Sequence, residues 1–205
     1  MICVEKSMAK PLSEMTLEEL WQLFPIQLAA HQSNWSGWYR EEEALLARVL
    51  PKNAILHHIG STAIPGIRAK PIIDILVEVD PGEFEAAKPL IETCGYLCMF
   101  REETRVDFNK GYTPDGFAEK VFHLHLRRYG DHDELYFRNY LCEHPEIAKQ
   151  YEALKLALWK RFEHDRDGYT NAKTDFVHRY TQEAKGQYGV LTDLGAGEHL
   201  KRGAQ

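Results

Sequence analysis

Residues 71–79 constrain the fold of this 205-residue chain more than any other stretch. They are almost entirely apolar and mostly β-branched, which is typical of a strand buried in the middle of a sheet. Asp74 nevertheless stands well inside the run, where a carboxylate is costly unless it is paired, hydrogen-bonded or bound to a cation. Asp74 and Glu78 share strand parity with Leu76, whereas the residues between them face the other way. The pattern predicts a central strand with a functional carboxylate; pairing of Asp74 with an arginine or a neighbouring backbone is the alternative.

The segment 58–66, with the sequence His-Ile-Gly-Ser-Thr-Ala-Ile-Pro-Gly, precedes this strand. Gly60 at a strand end allows close approach of the backbone, and the hydroxyls of Ser61 and Thr62 can donate to an anion. Backbone N–H groups in such a turn form a cradle for phosphate. The segment is not a Walker A loop, because no Gly-Lys-Ser/Thr follows at the required spacing. An ordinary tight turn is the alternative that these residues leave open.

The rest of the chain alternates between helical and strand patterns. Helices are predicted at 34–50, 81–94, 134–143, 145–164 and 171–187, and further strands at 54–60, 96–101, 105–109 and 120–128. A capping box at Thr16 predicts a short helix, residues 23–30 are expected to be extended, and 111–116 to form a turn. The expected class is α+β, a mixed β-sheet flanked by helices. We expect a core at 1–130 with a loose arm at 1–15, a C-terminal helical region at 131–190 packed on the core, and a frayed tail at 191–205.

The composition of the chain limits which cellular environment and which binding partners are expected. The formal net charge of -6 argues against bulk nucleic-acid binding, although a local basic groove is compatible with it. No segment approaches the ~20 apolar residues of a membrane span, and the N-terminus lacks a signal-peptide pattern, so a cytoplasmic protein without a membrane partner is expected. The four cysteines, Cys3, Cys94, Cys98 and Cys142, have no C-x-x-C spacing and are expected to be free thiols.

Several segments together resemble one known family. They are the run 58–79, Phe122-His123-Leu124-His125, Phe137-Arg138-Asn139-Tyr140-Leu141 and Tyr169-Thr170-Asn171-Ala172-Lys173. In these motifs, and over nearly all of the chain between residues 30 and 188, the sequence is similar to the GrpB family, a branch of the nucleotidyltransferase superfamily with the fold of polymerase β. The resemblance implies a nucleotidyltransferase-like mixed sheet followed by a small helical region. In some bacteria a similar domain is fused to dephospho-coenzyme A kinase.

The signature of that superfamily is Gly-Ser, a short spacer, and two carboxylates one residue apart on a strand. Gly60-Ser61 and Asp74 match its first two parts, but Leu76 occupies the place of the second carboxylate. Two carboxylates on one face ordinarily hold the divalent ions that bridge the phosphates of a nucleotide. The resemblance therefore implies the fold and the phosphate loop, and leaves conventional two-metal transfer open.

His123 and His125 lie two residues apart on a predicted strand, so both imidazoles point the same way. With Asp74 they are the predicted catalytic residues and metal ligands, a mixed site better suited to Mn²⁺, Zn²⁺ or Fe²⁺ than to Mg²⁺. The alternative is that the two histidines hydrogen-bond Asp74 and no metal binds. Asp107 is expected to have a surface role, unless its strand face lines the same cleft.

A second predicted set binds the phosphate or nucleotide ligand. Its members are Gly60, Ser61, Thr62, Lys70, Arg138, Lys155, Tyr169 and Lys173. The resemblance implies that residues of the helical region hold the base and the triphosphate, and an arginine with lysines suits an anionic ligand. Tyr169 and Lys173 would share one helical face if their helix begins that early. For each charged residue taken singly, a solvated surface position is the alternative.

Two functions of different classes follow from these residues. The first is transfer of a nucleotidyl group from a nucleoside triphosphate to an unknown acceptor, with Mg²⁺, Mn²⁺ or Zn²⁺ as the expected cofactor. The second is a non-catalytic module that binds a nucleotide or a coenzyme A-related ligand and has lost the second carboxylate at Leu76. Metal-dependent hydrolysis at an Asp/His cluster is a third. The sequence leaves the nucleotide, the acceptor and the oligomeric state open.

Overall fold

The computed structural model of the chain describes residues 10–191. Residues 1–9 of the predicted arm, with Cys3, and residues 192–205 of the predicted tail lie outside the described residues. The helices of the described part are α1 Leu17–Leu23, α2 Trp35–Leu46, α3 Phe84–Thr93, α4 Asp133–Glu143, α5 Pro145–Arg161, α6 Arg166–Asn171 and α7 Thr174–Tyr188. The strands are β1 Ile55–Ile59, β2 Ile73–Val79, β3 Leu97–Arg101, β4 Arg105–Thr113 and β5 Gly116–Arg128.

The described strands form one five-stranded sheet in the order β1-β2-β5-β4-β3. β2 and β5 run parallel, and the other neighbouring strands run antiparallel. The predicted α+β class, a mixed sheet flanked by helices, is confirmed. The register places Asp74 beside His123 and Leu76 beside His125, so the two predicted motifs meet on adjacent strands.

The two faces of β2 belong to two separate apolar clusters. Ile73, Ile75 and Val77 pack with α2, α3 and the inner side chains of β4 and β5. Leu76 faces the opposite way and packs with side chains of α4, α5 and α7. Each fully buried side chain of this size stabilises the fold by about 1.5–3 kcal/mol. The strand parity predicted for Asp74, Leu76 and Glu78 is therefore confirmed, and the C-terminal helices cover the face that carries Asp74.

The hairpin between β4 and β5 differs from the prediction. The turn was expected at 111–116, but β4 continues to Thr113 and β5 starts at Gly116. Gly111 lies inside the hairpin with φ 90°, and the pairing register shifts between Lys110 and Tyr112. Glycine at such a position is typical of a β-bulge rather than of the turn itself.

The helix predicted at 171–187 forms as α7, but it starts later, at Thr174, and a separate short helix precedes it; this is the second difference. The carboxylate of Asp165 accepts a hydrogen bond from the N–H of Gly168 at 2.8 Å and starts a separate helix, α6. That helix ends at Asn171, and α7 begins at Thr174. Tyr169 and Lys173 therefore do not share one helix, although they do meet in space.

Of the remaining predictions, some are confirmed by the structure and others are not. The capping box at Thr16 is present, with both of its hydrogen bonds. Residues 23–30 form no strand; they hold one isolated bridge between Ala29 and Ala69. The helices predicted at 34–50 and 81–94 are shorter than expected at one end each. The described cysteines, Cys94, Cys98 and Cys142, are free thiols. Within residues 10–191, no helix is both long enough and apolar enough to cross a membrane.

Candidate active site

The predicted phosphate loop forms the tight end of β1. Gly60 has φ 69° and ψ -172°, a conformation open to glycine alone, and residues Ser61–Ala63 make one 3-10 turn. The hydroxyl of Thr62 donates to the carbonyl of Ile72 at 3.2 Å, so its hydrogen is already used within the fold. Both residues line a cavity, and the hydroxyl of Ser61 contacts the phenol of Tyr151. Of the two predicted hydroxyl donors, Thr62 therefore has its hydrogen committed to the backbone of Ile72.

Asp74 packs directly against this loop. A methyl group at Gly60 would lie 2.1 Å from Oδ2 of Asp74, so only glycine permits the approach. Oδ1 of Asp74 lies 3.3 Å from Nδ1 of His123. Burial opposes the charged form of Asp74, but the hydrogen bond from His123 and nearby positive charge, including that of Lys70, outweigh it and lower the pKa of this carboxyl. Asp74 is thus an anion that faces the cavity next to the loop.

His123 does not line the cavity but holds Asp74 from behind. Its Nε2 lies 2.7 Å from the hydroxyl of Tyr112, which accepts a hydrogen bond from Arg166 at 2.9 Å. Since Arg166 only donates, the Tyr112 hydroxyl donates to Nε2 and His123 donates from Nδ1 to Asp74. The chain of bonds runs in one direction, from Arg166 to Asp74.

His125 lines the cavity but contacts a different carboxylate. Its Nδ1 lies 3.0 Å from Oδ1 of Asp107, and Nη2 of Arg127 lies 2.8 Å from the same oxygen. Asp107 is 33% exposed and lies outside the cavity lining, but it is on the same sheet face as His125. Burial lowers the pKa of His125, but the hydrogen bond and charge of Asp107 outweigh burial and raise it.

The expected grouping of Asp74, His123 and His125 as metal ligands does not form. Among residues 10–191, no cluster of three or more His, Cys, Asp and Glu side chains is arranged to hold a metal ion. His123 is bonded through both ring nitrogens, and His125 is turned to Asp107. Leu76, which stands where a second carboxylate was expected, is fully buried among apolar side chains. These side chains do not fit a preformed metal centre.

The predicted lysines converge on the same cavity, which has a volume of about 530 Å³. Nζ of Lys70 lies 5.8 Å, and Nζ of Lys173 lies 4.2 Å, from the centre of the buried Tyr169 ring. Lys155 is 2% exposed, and its Nζ donates to the carbonyl of Arg68. None of these three lysines forms a salt bridge with a residue in the described part of the chain. The cavity therefore holds three amines that have no salt-bridge partner in the described part of the chain.

Burial sets the proton affinity of these lysines. It is the main cause that lowers the pKa of Lys70 to about 7, and the charges of Arg166 and Lys173 add to it. Burial and Lys173 likewise lower the pKa of Lys155 to about 7. Burial lowers the pKa of Lys173 to about 8, against the opposing charge of Asp74. A bound anion would restore the charged form of all three.

Arg138 is the predicted site residue that lies elsewhere. Its guanidinium donates to the carbonyl of His58 at 2.8 Å and is buried between α4 and β1, outside the cavity lining. Conversely, prediction missed Tyr112, Tyr151 and Arg166. These residues come from separate elements, and no sequence motif connects them with Asp74.

The fold and this site define an α+β protein with a lysine-lined cavity between a mixed sheet and a layer of helices. Residues 25–183 match the family described as GrpB protein, and the chain belongs to the GrpB family.

Similar proteins agree with this assignment. The Glutamate-rich protein GrpB of Alkalihalophilus pseudofirmus is 34% identical over 76% of this chain and 94% of its own length. A UPF0157 protein of Pseudomonas aeruginosa is 37% identical over 68% of this chain, which corresponds to 59% of that longer relative. The crystal structure of conserved protein GrpB from Enterococcus faecalis superposes with a TM-score of 0.69 at 32% identity, covering 79% of this chain and 99% of that one. A structure of the Cid1 poly(U) polymerase reaches a TM-score of only 0.45 at 12% identity, covering 68% of this chain and 44% of that one, and supports no inference.

Proposed function

We propose that the cavity binds a nucleoside triphosphate by its phosphates and that the protein transfers the nucleotidyl group to an acceptor. The observation that carries this proposal is the convergence of Lys70, Lys155 and Lys173, without carboxylate partners, in one cavity with the Ser61 loop. Lys155 is buried and Lys70 and Lys173 are partly buried, and ammonium groups so placed are costly unless an anion joins them. A polyphosphate supplies several acceptor oxygens at once, which suits three separate cations.

Asp74 would orient the acceptor beside these phosphates. It is held as an anion by His123, and it borders both the loop and the cavity. The aromatic rings of Phe137, Tyr151 and Tyr169 also line the cavity and offer surfaces for a planar base. The side chains present offer a single cavity carboxylate at the loop rather than a metal pair, so no step in this proposal runs through a metal.

The rival function is a binding module without turnover. It is favoured by Leu76, which is 0% exposed and packed into the apolar cluster of the helices. The position is part of the core, where an unpaired carboxylate would be costly. Such a module would take a nucleotide or a coenzyme A-related ligand in the same cavity. Hydrolysis at an Asp/His metal cluster gains no support, because His125 pairs with Asp107.

The test of this proposal measures ligand binding first and catalytic turnover second. Thermal shift and calorimetry with ATP, GTP, CTP, UTP, coenzyme A and dephospho-coenzyme A, each alone and with Mg²⁺, Mn²⁺ or Zn²⁺, would measure the ligand. A ligand at 100 times its Kd raises the free energy of unfolding by about 2.7 kcal/mol, which gives a clear rise in Tm. Lys155→Met should weaken nucleotide binding, whereas Lys160→Met, on the exposed side of the same helix, should not. Absence of any shift across the panel would refute nucleotide binding. Asp74→Asn then separates the two functions, since only an enzyme has turnover to lose.

A further inference from the structure

His125 is placed at the point where the superfamily signature is incomplete. The parallel register of β2 and β5 sets it beside Leu76, the position that lacks the second carboxylate. On its other side, the antiparallel register of β4 and β5 sets it beside Asp107. An imidazole with a carboxylate behind it therefore occupies the neighbourhood in which an acid was expected, and it borders the cavity.

The contacts of His125 fix which ring nitrogen can act. The ionised carboxylate of Asp107 only accepts hydrogen bonds, so Nδ1 of His125 donates to it across 3.0 Å. Nη2 of Arg127 is closer to the Asp107 oxygen, at 2.8 Å, than to Nδ1, at 3.4 Å, which agrees with this tautomer. In the neutral imidazole Nε2 is then unprotonated, and no described residue forms a hydrogen bond with it. The arrangement is a carboxylate-held base whose free nitrogen is left for a ligand.

His123 provides an internal contrast. It lies on the same strand face, but both of its nitrogens are engaged, by Asp74 and by Tyr112, and it does not line the cavity. Of the two histidines in the motif, only His125 has a nitrogen that could take a proton from a bound molecule.

The charged side chains that line the cavity also differ in sign between the two ends of α7. Lys173 precedes the helix, whereas Asp133 and Glu134 line the cavity at the start of α4. Asp133 pairs with Lys185, which places this acidic end near the C-terminal part of α7. Twelve residues of helix span about 18 Å, so the cationic and acidic ends are well separated. Glu134 lies 3.9 Å from Arg127, which puts the His125 group toward the acidic end. Triphosphate is favoured at the lysine end, and a neutral or cationic acceptor at the other.

We propose that His125 is the catalytic proton acceptor for the attacking group, that Asp107 is its positioning residue, and that the acceptor is an uncharged or cationic molecule with a hydroxyl group. This inference rests on the proposed nucleotidyl transfer. Nε2 of His125 takes the hydroxyl proton while the acceptor oxygen bonds to the α-phosphorus. The bond from that phosphorus to the bridging oxygen breaks, and pyrophosphate leaves with the electron pair, its charge balanced by the lysines. The imidazolium, stabilised by Asp107, returns its proton to solvent.

The experiment uses ATP with water as the acceptor, and measures pyrophosphate release and ATP affinity on the full-length chain. We expect His125→Ala to release pyrophosphate at least about 100-fold more slowly, the lower bound for loss of a general base. Its Kd for ATP should stay within about twofold of the original value, since a residue that acts only in the transition state does not contribute to ground-state binding of ATP. Added imidazole should restore part of the lost rate in His125→Ala. It should not do so in Asp107→Asn, where the histidine is still present, or in Asp74→Asn.

Each outcome has one meaning. ATP binding with unchanged pyrophosphate release in His125→Ala would overturn the role of His125 and leave the proposed function standing. ATP binding without any pyrophosphate release by the unaltered protein would overturn this role and leave the binding module. Absence of ATP binding, with the other nucleotides silent as well, would overturn both proposals. His125→Asn serves as a second variant if His125→Ala does not fold, because it retains a polar side chain of moderate size.

Discussion

Gly60 and Asp74 depend on each other at the scale of single residues. Gly60 has φ 69°, and an added Cβ would meet Oδ2 of Asp74 at 2.1 Å. Gly66 is a matched control, because it has φ 74° but nothing within 4 Å of an added Cβ. The two glycines share the backbone strain that any other residue would suffer, and differ in the contact with the carboxylate.

We therefore expect Gly60→Ala to lower the free energy of unfolding by about 2–4 kcal/mol, and Gly66→Ala by about 1–2 kcal/mol. The excess at Gly60 arises because Asp74 has to move away from the loop and from His123. Urea unfolding measures both values, and ATP calorimetry should show weaker binding in Gly60→Ala alone. Equal losses of stability in the two variants would mean that the contact with Asp74 has no energetic role.

Tyr112 makes a second prediction at this scale. Its hydroxyl links Arg166 to His123, and through His123 to Asp74. Tyr112→Phe leaves Nε2 of His123 without its donor and should lower the free energy of unfolding by about 1–3 kcal/mol. Tyr188→Phe removes an exposed hydroxyl bonded to Glu143 and should cost less than about 0.5 kcal/mol. Nitrogen NMR of the His123 ring should show loss of its single tautomer in Tyr112→Phe; an unchanged ring spectrum would refute the directed chain of bonds.

At the scale of elements, Glu78 attaches helix α4 to the end of β2. Glu78 is 0% exposed, and Oε1 lies 3.0 Å from Nδ1 of His132 and 2.9 Å from the N–H of Gly130. Nε2 of His57 lies 3.4 Å from Oε2. Burial opposes the charge, but these hydrogen bonds outweigh it and lower the pKa of Glu78 to about 2. The start of α4, and with it the acidic end of the cavity, is held by this carboxylate.

Because the folded pKa of Glu78 is below its ordinary value of 4.5, its contribution to stability is complete above that pH. The contribution is lost as the pH falls toward about 2. We expect Glu78→Gln to lower the free energy of unfolding by about 3–5 kcal/mol at neutral pH, as when one partner of a buried pair is removed. It should also flatten the fall in stability between pH 4.5 and 2. Glu85→Gln, at a carboxylate that is 78% exposed, should change neither value appreciably. If the free energy of unfolding of Glu78→Gln fell as steeply between pH 4.5 and 2 as that of the unaltered protein, Glu78 would not be the carboxylate responsible for the fall.

The hairpin of β4 and β5 shows how far sequence can predict this site. Periodicity located both strands, and parity placed His123 and His125 on one face. Near the turn, Tyr112 pairs with Phe117 and Thr113 pairs with Gly116. If this register continued along the two strands without a bulge, Asp107 would lie opposite Phe122. The bulge at Gly111 shifts the register by an odd number of residues and brings Asp107 to His125 instead. A bulge depends on the whole sheet, so the Asp107 contact was not predictable from local sequence.

At the scale of the whole molecule, the lysines that line the cavity come from distant parts of the sequence and meet only in the tertiary structure. Lys70 precedes β2, Lys155 lies in α5, and Lys173 lies between α6 and α7. Sequence identified each as a candidate, because the family resemblance and residue type pointed to phosphate. Their convergence on one cavity, and the burial that lowers the pKa of each, follow only from the packing of the helices on the sheet.

This packing makes nucleotide binding a proton-linked event. Near pH 8 the lowered pKa values, about 7 for Lys70 and Lys155 and about 8 for Lys173, leave these amines partly neutral. In the unfolded chain they are protonated up to about pH 10.5, so the free energy of unfolding of the ligand-free protein should rise between pH 7 and 10.5. A triphosphate favours the charged amines, so binding at pH 8 should take up protons. Calorimetry in Tris and in HEPES measures this uptake, because the apparent enthalpies differ by the uptake multiplied by the difference in buffer ionisation enthalpy. Lys155→Met should reduce the uptake and Lys160→Met should leave it unchanged; identical enthalpies in the two buffers, or proton release, would show that the phosphates do not bind at these lysines.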